Sequence, residues 1–163
     1  MVKIGSRNIK TAISVAICML IFQLLHRPHP FYACIAAVVC TKPSIHNSLV
    51  MGKNRMIGTI LGGIVGLWFS MVVDSTPLIC GGGIMLVIYL CNICKQNDSV
   101  VIACIVFISI MTNLRDSSSI VYAVNRVLDT SIGIAVSVVI NSFLKLEKFQ
   151  EYYIDIKENM LSK

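Results

Sequence analysis

The sequence predicts an all-α integral membrane protein: six transmembrane helices as two inverted three-helix repeats, followed by a cytosolic amphipathic C-terminal helix. Three observations predict it. First, 56% of the 163 residues are hydrophobic and 13% are charged, and the mean hydropathy is +0.79. A soluble domain usually carries about 25% Asp, Glu, Lys and Arg. That difference excludes a soluble globular enzyme, a disordered regulator and a nucleic-acid-binding module. Second, the charges gather in short stretches between apolar runs. Third, short motifs recur about 70 residues apart.

Six runs are free of charge: Thr11–His26 (16 residues), Pro28–Thr41 (14), Met56–Val73 (18), Ser75–Cys94 (20), Ser99–Leu114 (16) and Thr130–Leu144 (15). A straight helix needs about 20 residues to cross the hydrocarbon, with a range of about 17 to 25. The third and fourth runs meet that outright. The others reach it with snorkelling flanks and local thinning of the bilayer. A four-span arrangement, with the second and fifth runs re-entrant, is the alternative. The first run follows Lys3, Arg7 and Lys10, as in a signal peptide. It leads into His26-Arg27-Pro28-His29-Pro30 rather than a small-residue cleavage site, so it is expected to remain as the first span.

Charge placement sets the expected orientation. With a cytoplasmic N-terminus, Lys3, Arg7, Lys10, Lys42, Lys53, Arg55, Lys95 and the tail lysines 145, 148, 157 and 163 lie inside. Arg27, Arg115 and Arg126 lie outside, 3 cations against 11. This is the positive-inside bias of a plasma (inner) membrane protein with both termini cytoplasmic. The seven cysteines all sit in apolar stretches, and Cys91-x-x-Cys94 has no second ligand pair. They are expected to be reduced core residues, with no metal or other cofactor.

The repeat is read from two matches. Asn54-Arg55-Met-Ile-Gly58-Thr59-Ile-Leu-Gly62 aligns with Asn125-Arg126-Val-Leu-Asp129-Thr130-Ser-Ile-Gly133, at an offset of 71. Ala33-Cys34-Ile35 aligns with Ala103-Cys104-Ile105, at an offset of 70. The expected halves are residues 1–73 and 75–144 of a transmembrane domain spanning 1–144. Three spans per half is an odd number, so the second half must be inverted. Inverted repeats are a recurring plan of secondary transporters, with the site near the midplane. The polar interruptions at 44–54 and 113–125 occupy matching places in the two halves. Ordinary interfacial loops are the other reading.

Within the repeat, Gly58, Gly62 and Gly66 recur every fourth residue, and Asp129, Gly133 and Ser137 match them. Small residues on one stripe let helices approach closely, so these are expected to be packing seams. Arg55 and Arg126 each follow an Asn and precede Thr59 or Thr130 by four residues. A guanidinium fork suits a carboxylate, so Arg55, Arg126, Thr59, Thr130 and Asn125 are the candidate substrate-binding residues. Interfacial anchoring is the alternative. Asp129, three residues after Arg126, is the candidate for proton coupling; its alternative is a local ion pair or a helix-dipole contact. His26, His29 and His46 show no metal spacing, and Trp68 and Tyr89 are expected mainly to pack.

The stretch 145–163 changes character. Four basic and four acidic residues balance, and Leu146, Phe149, Tyr153, Ile156 and Met160 form one apolar stripe at helical spacing. An amphipathic helix is expected there, packed on another subunit or on the membrane surface.

Several segments resemble the amino-terminal membrane domain of the aromatic acid exporter family, within the fusaric acid resistance protein-like superfamily. They are Pro30-Phe31-Tyr32-Ala33, Thr41-Lys42-Pro43-Ser44, Ser48-Leu49 and Gly52-Lys53-Asn54-Arg55-Met56-Ile57-Gly58-Thr59. Tyr89 to Asn92, Ser99-Val100, Ala103 to Ile105 and the Asn125-Arg126 segment through Gly133 extend the likeness over roughly residues 5–144. The resemblance implies six membrane helices in the plasma membrane and efflux of aromatic carboxylates. Organic-anion channels of the same superfamily broaden the substrate class. Many members carry a cytosolic domain after the membrane part; here one short helix follows, so that domain is expected to be absent or replaced by a partner.

The expected function is therefore export of small organic anions, with aromatic carboxylates as the substrate class. The proton gradient is the expected drive, because the sequence contains no nucleotide-binding motif. No catalytic constellation appears, so an enzyme is not expected. The partners expected are the lipid bilayer, the organic anion and further copies of the chain, with no nucleic acid. A passive organic-anion channel and a non-transporting assembly module are the alternatives.

Overall fold

The computed structural model describes residues 6–73, 75–112 and 119–143. Six helices account for most of them: α1 (Ser6–Leu24), α2 (Phe31–Cys40), α3 (Ile45–Val72), α4 (Pro77–Ile93), α5 (Val100–Thr112) and α6 (Ser119–Phe143). A 3-10 turn, Asn97–Ser99, leads into α5. Among the described residues there is no strand. The amphipathic helix expected over 145–163 lies outside the described residues.

Helix lengths depart from the charge-free runs in an instructive way. α1 and α6 reach 19 and 25 residues because they continue through Lys10 and through Arg126 and Asp129. A charge does not end a helix when its side chain is accommodated. α4 is the reverse case. Its run of 20 yields 17 helical residues, because Thr76 is extended at the N-cap and Pro77 starts the first turn. Among the described residues three helical stretches, Arg7–Leu24, Ile45–Val72 and Ile120–Phe143, are long and apolar enough to cross a membrane. α2, α4 and the segment Asn97–Thr112 are shorter apolar helices. With 10 residues, α2 covers about 15 Å at about 1.5 Å per residue, half the hydrocarbon thickness.

The chain divides into two compact units, Met1–Leu49 with Gly133–Lys163, and Val50–Ile132. In the first unit α1 packs on α2. The buried stripe of α1 is Lys10, Ser14, Cys18 and Phe22, one residue per turn. It meets the small face of α2, Ala33, Ala36, Ala37 and Cys40, and the Cys18 thiol lies 3.9 Å from the Ala33 carbonyl. α6 enters this unit through Gly133, where a Cβ would collide with the Ala33 carbonyl and the Ala36 methyl.

In the second unit, Val65, Val87, Cys91, Ala103, Phe107 and Met111 form the core. Phe69 meets Phe107 edge-on at 5.5 Å between centroids. α3 uses two faces here. Gly58, Gly62 and Gly66 lie against Ser99, Ile102, Ala103 and Ile110 of α5 and its leading turn. Ile60, Gly63, Ile64 and Leu67 share an open apolar groove with Ala123, Val124, Val127 and Leu128 of α6. The Ser131 hydroxyl lies 3.9 Å from the Met56 sulfur, so α3 and α6 run antiparallel.

Several ends recur. α1 closes with His26 at φ 50° and α4 with Lys95 at φ 54°. In each, the next residue donates to the carbonyl five back (Arg27 to Phe22, Gln96 to Cys91, both 2.9 Å). The left-handed residue itself donates to the carbonyl three back, which completes a Schellman motif on a non-glycine residue. Thr41 after α2 and Thr112 at the end of α5 both turn their hydroxyls onto the carbonyl four back, at 2.8 and 2.9 Å.

The exposure pattern inverts that of a soluble protein. Leu78, Phe143, Leu24 and Met85 are 74–89% exposed, while Lys10, Arg55, Arg126 and Asp129 are 4–9% exposed. Such an apolar exterior is stable against lipid and unstable in water. The molecule is a membrane protein.

Candidate functional site

In the second unit, Arg55 follows the polar first turns of α3, and Arg126 lies two turns into α6. Both are buried, as are Thr59, Asp129 and Thr130; Asn125 is half-buried. The Arg126 guanidinium carbon lies 4.4 Å from the centroid of the Tyr122 ring. Helical spacing of four puts the two on one face. A cation over an aromatic face is held by the ring quadrupole. Tyr122 is fixed in turn by a 2.8 Å hydrogen bond between its hydroxyl and that of Ser109 on α5.

Thr59 is committed differently. Its hydroxyl donates to the Arg55 carbonyl at 2.9 Å. That hydroxyl has a single proton, so it presents only acceptor lone pairs. It suits a phenol or an ammonium better than a carboxylate. Asn54 sits outside this group, where its amide donates to the exposed Asp98 carboxylate at 3.2 Å. Ser99, wholly buried beside Gly58, has a hydroxyl with no hydrogen-bond partner among the described residues.

The first unit holds a second polar group, to which the sequence reading assigned no binding role. Lys10 is 4% exposed and donates from Nζ to the Asn141 side-chain oxygen at 3.0 Å. The Asn141 amide nitrogen donates to the Lys42 carbonyl and to the Ser48 hydroxyl, both at 2.9 Å. Ser48 also accepts from the Lys42 backbone N–H at 3.1 Å. Ser14, one turn after Lys10, donates to the Lys10 carbonyl at 2.8 Å. Lys10 was counted only as a topology charge. The signals that could have found this group are a Lys at i, i+4 from a Ser on one helix face and a lone Asn deep in the sixth apolar run.

Among the described residues no set of three His, Cys, Asp or Glu side chains could hold a metal ion. In the second unit Arg55 and Arg126 are buried together with one buried carboxylate, Asp129, among the described residues, and in the first unit Lys10 is buried.

The sequence model for "Aromatic acid exporter family member 1" matches residues 2–144. The chain belongs to the aromatic acid exporter family. The family is, by its name, one of membrane exporters. Relatives are named without a function. The UPF0421 protein YgaE of Bacillus subtilis is 24% identical over 148 residues, covering 91% of this chain and 42% of its own length. The UPF0421 protein OB2406 of Oceanobacillus iheyensis is 27% identical, over 91% of this chain and 42% of its own length. The UPF0421 protein BH2644 of Halalkalibacterium halodurans is 28% identical over 163 residues, covering 98% of this chain and 44% of its own length. The chain thus spans less than half the length of these curated relatives. No solved structure matches.

Proposed function

We propose that this chain forms the membrane part of a proton-driven exporter of small organic anions, with aromatic carboxylates as substrates. The observation that carries the reading is buried positive charge in each unit: Arg55 and Arg126 beside Asp129 in the second, and Lys10 in the first. Burying a cation away from water is unfavourable unless it is paired or hydrogen-bonded. A pathway for anions gives that cost a purpose. The Arg126–Tyr122 stack puts a buried cation beside an aromatic ring, the two kinds of group that an aromatic carboxylate calls for. Asp129, three residues from Arg126, is the group that exchanges the coupling proton.

The proposed architecture is six crossings in two inverted halves. Its support is the pair of matching close approaches, Gly62 on Ala103 and Gly133 on Ala33, together with the like endings at His26 and Lys95. In the antiparallel register of α3 and α6, Gly58 and its counterpart Asp129 come to the same height.

The test is efflux of preloaded, labelled 4-hydroxybenzoate from expressing cells, with and without an uncoupler, beside an Arg126→Gln variant. Uncoupler-sensitive efflux above empty-vector cells, abolished by the substitution at equal expression, is the expected result. Flux that ignores the uncoupler and follows membrane potential would make the protein a passive channel. Efflux equal to empty-vector cells would remove this substrate.

A further inference from the structure

Lys10 poses a problem that its helix does not explain. An ammonium carries three N–H donors. Among the described residues, this one has a single hydrogen-bond partner, the Asn141 side-chain oxygen, and no carboxylate pairs with it. It is 4% exposed, and Asn141, Ser48 and Ser14 around it are 0–2% exposed. A buried cation without a counter-charge is unfavourable, and an apolar residue at position 10 would fold more cheaply. Nor can Asn141 turn away. Both donors of its amide are engaged, by the Lys42 carbonyl and the Ser48 hydroxyl, so its oxygen is held toward Lys10. The result is an ammonium fixed by a braced amide, with donor capacity left over.

We propose that Lys10, positioned by Asn141 and Ser48, is a binding point for the carboxylate group of a small organic anion. The inference deepens the exporter reading and rests on it for the identity of the anion. Two remaining N–H donors match the two oxygens of one carboxylate. The corresponding positions of the second half, Cys80 and Gly81, carry no charge, so the site belongs to one half alone.

The experiment is binding of 4-hydroxybenzoate to the purified full chain in nanodiscs, with its neutral methyl ester as control, for the wild type, Lys10→Gln and Lys10→Arg. Glutamine still reaches Asn141 as a donor but has no charge. The wild type is expected to bind the acid and not the ester. Lys10→Gln should weaken binding about tenfold or more, since a charge-assisted hydrogen bond is roughly twice as strong as a neutral one, and its unliganded melting temperature should not fall, because a buried uncompensated charge is removed. Lys10→Arg should keep most of the affinity. Equal affinity in Lys10→Gln, or no binding to the wild type, overturns the proposal. A second measurement covers a Gln variant that fails to fold. Solid-state NMR of the wild type, with 15N-labelled lysine and 13C-carboxyl-labelled ligand, should show a dipolar contact that is missing in Lys10→Arg; a spectrum without it overturns the proposal. The two readings also fail separately. Charge-dependent binding in a protein without efflux keeps the Lys10 site and sinks the exporter. Efflux and affinity untouched by Lys10→Gln keep the exporter and sink the site.

Discussion

Arg126 and Tyr122 form a structural pair, and in the proposed exporter the pair is also selective. Two kinds of substitution separate the contributions. Arg126→Lys keeps the charge and loses the planar stack, so the half-saturating 4-hydroxybenzoate concentration for efflux is expected to rise about 2- to 30-fold, the range a cation–π contact of about 0.5 to 2 kcal/mol spans. Tyr122→Phe keeps the ring and removes only the hydroxyl link to Ser109. It is expected to lower the melting temperature slightly, by the worth of one hydrogen bond, about 0.5 to 1.5 kcal/mol, and to leave substrate dependence almost unchanged. A larger substrate effect for Tyr122→Phe than for Arg126→Lys would assign recognition to the hydroxyl instead. Arg55, Arg126, Asp129, Thr59 and Thr130 could be singled out as candidates in the sequence because they fall inside a repeated motif. The Lys10–Asn141 contact was not, because it joins residues 131 positions apart.

Helix packing depends on a few missing side chains. A Cβ at Gly62 would collide with the Ala103 carbonyl, whereas one at the neighbouring Gly63 meets nothing within 4 Å. Gly62→Ala is therefore expected to destabilise by about 1 to 3 kcal/mol, the usual cost of overpacking. Gly63→Ala should stabilise by up to about 1 kcal/mol through helix propensity. Thermal unfolding of the two variants in one detergent checks the pair, and equal melting temperatures would refute the packing argument. Gly133→Ala should behave like Gly62→Ala, because Ala33 takes the place of Ala103. Sequence spacing pointed to the Gly58–Gly62–Gly66 stripe, but not to its partner, since three short apolar helices were equally plausible neighbours.

For the whole molecule, the number of crossings is the open consequence of helix length. Six crossings with a cytoplasmic N-terminus place His29 and Ser75 outside and Asn47 and Gln96 inside. Single cysteines at these positions, on a background with the seven native cysteines replaced, can be probed in intact cells with an impermeant maleimide. His29→Cys and Ser75→Cys should label at once, and Asn47→Cys and Gln96→Cys only after permeabilisation. If only α1, α3 and α6 cross, Ser75→Cys would be protected and Asn47→Cys labelled. The short helices bear on this because α2 and α5, at 10 and 13 residues, need a thinned bilayer or polar flanks to span it.

The sequence by itself determined the helical class, the membrane environment and the family. These follow from composition, periodicity and local motifs, properties of neighbouring residues that survive without a tertiary structure. Only the tertiary structure decided which charges are sheltered. Lys10 and Arg55 both look like ordinary cytoplasmic cations when loops are counted, yet both are 4–9% exposed. It also decided where helices end, at Pro77 or through Arg126, and which small residue each glycine meets. Those outcomes depend on groups brought together from distant parts of the chain. Whether a buried ammonium is affordable is set by an amide 131 residues away, and no local pattern encodes that distance.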